Sequence, residues 1–115
     1  MTMDLNAVSR LSEKGVPVAF SGEYTNWAGS REDMLWNGIE LMRLVHDSEK
    51  VLPMLTSAPA QLLGLSDITG AIREGLLADL VIWSADPLES WTAKVITAYQ
   101  AGEAIYREGD ALKCM

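Results

Sequence analysis

Ala78-Asp79-Leu80-Val81-Ile82-Trp83-Ser84-Ala85-Asp86-Pro87-Leu88 is the stretch that decides how this chain folds. The apolar run Leu80–Trp83 is short, β-branched and aromatic, which reads as a strand. Asp86-Pro87 closes it with a turn, because proline presets the backbone and cannot continue a ladder. Downstream, Lys94–Gln100 reads as a second strand and Glu103–Arg107 as a third. The two residues between them, Ala101-Gly102, predict a tight hairpin. Upstream, Asp67–Gly70 and Arg73–Gly75 are turns around a short Ala71-Ile72 piece. Residues 66–115 therefore read as antiparallel β with a hairpin.

The texture changes near Leu65–Gly70. Residues 1–65 read as α/β, so the whole chain is α+β in class. Leu5, Val8 and Leu11 share one face of a helix over residues 4–14, stopped at Gly15. Val16–Phe20 is apolar without alternation, as in a strand buried on both faces; Pro17 is tolerable at its start. Ser30 suits the cap of a long helix, with Asp33 three residues on. Leu35, Ile39, Met42 and Val45 form its stripe, widened by Met34, Leu41 and Leu44. So broad a face implies burial against more than one element. Asp47 or Ser48 caps a helix over residues 49–55 that contains Pro53. A further helix has Ser57 as its cap, Pro59 in its first turn and Gly64 as its stop.

Composition narrows the function classes. At 115 residues, the chain suits one modest core. Apolar residues make up 49% and charged residues 22%, the balance of a globular protein. Four Trp and six Met leave much apolar bulk to bury. A formal charge of −7 repels phosphate backbones and anionic lipid, which argues against nucleic-acid and membrane partners. Cys114 is the single cysteine, so no intrachain disulfide can form, and a reducing, cytoplasmic setting is expected. The first residues have neither the basic nor the apolar region of a signal peptide, and no apolar run approaches the ~18 residues of a membrane span.

Sites in α/β folds gather at the carboxyl ends of strands. The polar loop Ser21–Ser30 follows the expected strand at 16–20, so Glu23, Tyr24 and Asn26 are its best-placed polar residues. Tyr24, Asn26 and Trp27 are candidates for contact with a substrate or partner, since aromatic side chains anchor interfaces. His46 is the sole histidine, at a helix end where a cationic ring favours the dipole; a ligand role would require partners.

Several pieces occur in an order that resembles one family. They are Pro59-Ala60-Gln61-Leu62-Leu63-Gly64-Leu65, Gly70-Ala71-Ile72-Arg73-Glu74-Gly75, Ala78–Trp83, Asp86-Pro87-Leu88 and the closing hairpin. The set is similar to the C-terminal end of amidohydrolase-superfamily enzymes of the imidazolonepropionase- and prolidase-like branch. Gly15–Glu23 resembles their final barrel strand. The resemblance implies that residues 16–20 are the last strand of an amidohydrolase-type (β/α)8 barrel and that residues 30–64 are its closing helices. It makes residues 72–107 part of a small antiparallel β-sandwich. It also implies metal-dependent hydrolysis of carbon–nitrogen bonds in amides or cyclic amides, with zinc or another divalent metal as cofactor.

Departures from that pattern shape the functional expectation. A complete barrel takes ~250 residues. The family's His-x-His pair, its central lysine or carboxylate and its later histidines have no counterpart here. Its last-strand Asp, a metal ligand and proton acceptor, falls on Glu23, one methylene longer. The lysine usual after Gly75 is Leu76. The chain is therefore expected to be a truncated amidohydrolase-like protein without independent catalysis and without a cofactor in isolation. Two alternatives stand beside it: a chain that completes an active hydrolase assembled with others, Glu23 serving as catalytic residue and metal ligand, and a small binding or oligomerisation module. Unpaired strand edges imply a partner, either a second copy in a homo-oligomer or the missing N-terminal barrel portion.

Overall fold

A computed structural model of the chain describes residues 4–21 and 33–110. Among the described residues four helices come first: α1 (Leu5–Glu13), α2 (Asp33–Val45), α3 (Ser48–Leu55) and α4 (Ser57–Leu62). Three strands follow: β1 (Leu80–Trp83), β2 (Val95–Gln100) and β3 (Glu103–Arg107). The expected capping at 30 lies outside the described residues.

Short-range chemistry accounts for most helix ends. Asp4 Oδ1 accepts the N–H groups of Asn6 and Ala7 at the start of α1. At its end, Gly15 N–H bonds Ser12 O and Val16 N–H bonds Leu11 O, a Schellman pair. Gly64 and Leu65 repeat the pattern on Gln61 O and Ala60 O and stop α4. Of the two candidate caps for α3, Asp47 performs the role, its Oδ1 accepting Glu49 N–H at 3.0 Å. Pro53 sits inside α3. Ser57 does not cap α4. It is the first helical residue, and Thr56 precedes it without a capping bond, because the Thr56 hydroxyl donates back to Leu52 O instead.

The core lies among the helices. Leu41 and Val51 are 0% exposed, and Phe20, Met42, Met54 and Leu88 join them. Leu5, Val8, Leu35, Ile39, Val45 and Leu55 pack around this cluster. Full burial of each leucine-sized side chain contributes about 1.5–3 kcal/mol. Leu88 comes from the Asp86-Pro87 turn, after β1. Asp86 Oδ1 accepts Leu88 N–H at 2.8 Å, and Asp86 O accepts from Glu89 and Ser90. The turn thus aims Leu88 at α2, where Gly38 leaves room. A Cβ at Gly38 would stand 3.1 Å from Leu88 Cδ2 and 3.0 Å from Leu55 Cδ1.

The strands form one antiparallel sheet in the order β1-β2-β3. Leu80 faces Tyr99 and Gln100 faces Glu103, with register shifts at Ile82/Trp83 and Ala98/Tyr99. The predicted Ala101-Gly102 hairpin is present. Both residues have positive φ, 49° and 82°, as a two-residue mirror-image turn requires. No strand residue is buried. The sheet is a single layer, and no second sheet faces it among the described residues.

One expected element does not form. Residues 16–20 carry no strand pairing among the described residues. Phe20 N–H bonds Met54 O at the end of α3 instead, and the Phe20 side chain enters the helical core. A strand is defined by its neighbours, and the described residues offer this segment a helix carbonyl, not a ladder.

Candidate functional site

Glu23, Tyr24, Asn26 and Trp27 lie outside the described residues. The described chain runs up to Ser21, just before them. Phe20 is anchored by its buried ring and its 3.2 Å hydrogen bond to Met54 O, so α3 holds the backbone one residue before Ser21.

His46 follows α2 directly. Its N–H bonds Met42 O at 2.8 Å, and its φ of 54° turns the chain out of the helix toward Asp47. The imidazole is exposed. Among the described residues, no three His, Cys, Asp or Glu side chains lie together in a way that could hold a metal ion. The donors among the described residues do not by themselves make up a catalytic zinc site, which takes about three protein ligands and a water. Nor is any described helix long and apolar enough to cross a membrane.

The structure instead brings together a groove of about 830 Å³ between α2 and the loop after β1. Leu35, Trp36, Ile39 and Met42 form one wall and Trp83, Pro87, Leu88 and Trp91 the other, with Arg43, His46 and Glu89 among the polar lining. Three of the four tryptophans thus converge on one feature. The helix wall follows from the stripe at 35, 39 and 42. The loop wall depends on the Asp86 turn and on a second bracket. Ser84 N–H bonds Lys94 O, and Lys94 N–H bonds Ser84 Oγ at 2.9 Å, which closes the loop carrying Trp91. Ser90 Oγ and Thr92 Oγ1 lie 3.0 Å apart across that tryptophan. Trp91 is 95% exposed and Trp36 53%. Arg43 pairs with Glu40 at 3.3 Å on the open helix face, where such pairs contribute little. Sequence reasoning registered the excess of tryptophan but not its convergence, because residues 36, 83 and 91 belong to different elements.

A second polar junction is structural. Asp79 Oδ1 accepts Ala101 N–H at 2.8 Å, and its Oδ2 accepts from Thr69 Oγ1 at 3.0 Å. Gly102 N–H bonds Ala78 O at 3.0 Å. The residues before β1 therefore hold the tip of the hairpin and tie it to the Thr69 turn.

Comparison with known proteins gives a consistent result. The sequence pattern of the amidohydrolase family matches residues 2–106. An imidazolonepropionase from Bacillus cytotoxicus is 28% identical over 107 residues, covering 88% of this chain and 25% of that protein. The crystal structure of an amidohydrolase from Thermotoga maritima superposes with a TM-score of 0.78 at 29% identity, covering 90% of this chain and 26% of that one. A 5-methylcytosine deaminase from Klebsiella pneumoniae, solved with phosphonocytosine, gives 0.69 at 24% identity over 92% of this chain and 28% of that one, a likeness of fold. The chain spans about a quarter of the length of each of these relatives.

Proposed function

Since this chain belongs to the amidohydrolase family, we propose that it provides scaffold for a metal-dependent hydrolase of carbon–nitrogen bonds and has no catalysis of its own. One observation carries this reading: a single histidine, exposed at the end of α2, in a chain with no cluster of metal donors among its described residues. A carboxylate by itself does not hold a reactive zinc ion. The substrate class, amides and cyclic amides, rests on the family and on the imidazolonepropionase relative. In this reading residues 16–20 occupy the place of the last barrel strand, and strand neighbours that do not occur among the described residues belong to the remaining three quarters of the relatives' length.

The test is direct. After equilibration with zinc and desalting, the purified chain should retain well under one metal ion per molecule by elemental analysis, and should not turn over a cyclic amide above the buffer rate. Stoichiometric zinc together with turnover would refute the proposal. A second reading has support in the anchored Phe20, which fixes the backbone one residue before Ser21. Glu23 then serves as the proton acceptor of a site completed by other chains. In such a reconstituted assembly Glu23→Gln should lower kcat by about a hundredfold or more. An unchanged rate would remove Glu23 from the chemistry.

A further inference from the structure

We draw no further inference here: the strongest candidate, the groove between α2 and the loop after β1 bordered by Trp36, Trp83 and Trp91, carries nothing because it is an open apolar face and nothing in the structure shows what covers it.

Discussion

The helical region and the sheet region solve the burial problem differently. Leu41 and Val51 of α2 and α3 are 0% exposed, whereas no residue of β1, β2 or β3 is buried. The helices stack in sequence, each covering its neighbour's apolar stripe, so a core arises from nearby segments. The sheet pairs its own strands but meets no second layer among the described residues. Hydrogen bonds alone stabilise such a sheet weakly, since pairing only exchanges bonds already made to water. Leu88, delivered to α2 by the Asp86 turn, ties the two regions together.

This contrast can be broken by mutation. Leu41→Ala should cost about 3–5 kcal/mol in urea unfolding monitored at 222 nm. Ile105→Ala in β3, where the side chain is 63% exposed, should cost under about 0.5 kcal/mol. Comparable losses at the two sites would show that the sheet is covered in solution and would erase the distinction. Leu88→Ala should cost about 2–4 kcal/mol. It should also uncouple the regions, so that tryptophan fluorescence and helical dichroism no longer share one midpoint; a single coincident transition would locate the tie elsewhere. Asp79→Ala removes the acceptor for Ala101 N–H and Thr69 Oγ1 and should cost about 1–2 kcal/mol. Its distinctive mark is faster amide exchange at Ala101, with protection in α2 unchanged; protection retained at Ala101 would mean the hairpin turn holds itself.

Much of the local structure was legible because its causes are local. The strand at Leu80–Trp83 and the hairpin at Ala101-Gly102 follow from short runs and turn chemistry. So do the stops at Gly15 and Gly64 and the start of α3 at Asp47. Where local reading failed, a competing partner was near at hand. Ser57 looked like a cap, but Thr56 turned its hydroxyl to Leu52 O, leaving α4 without a side-chain cap. Val16–Phe20 has the composition of a buried strand, yet a strand needs neighbours, and Phe20 found Met54 O instead. For the candidate site, Glu23, Tyr24, Asn26 and Trp27 were named from their place after that segment, and they lie outside the described residues.

From the sequence by itself came the helices, the three strands, the turns that separate them and the family resemblance, all encoded in short runs whose residues act on their own backbone. Only the tertiary structure decided that Leu88 would rest against Gly38 and that Trp36, Trp83 and Trp91 would border one groove. It also decided that Asp79 would hold a hairpin 22 residues away. Those outcomes depend on which distant surfaces meet once apolar stripes are buried. Burial is non-directional, so its geometry emerges from packing and not from any single stretch of chain.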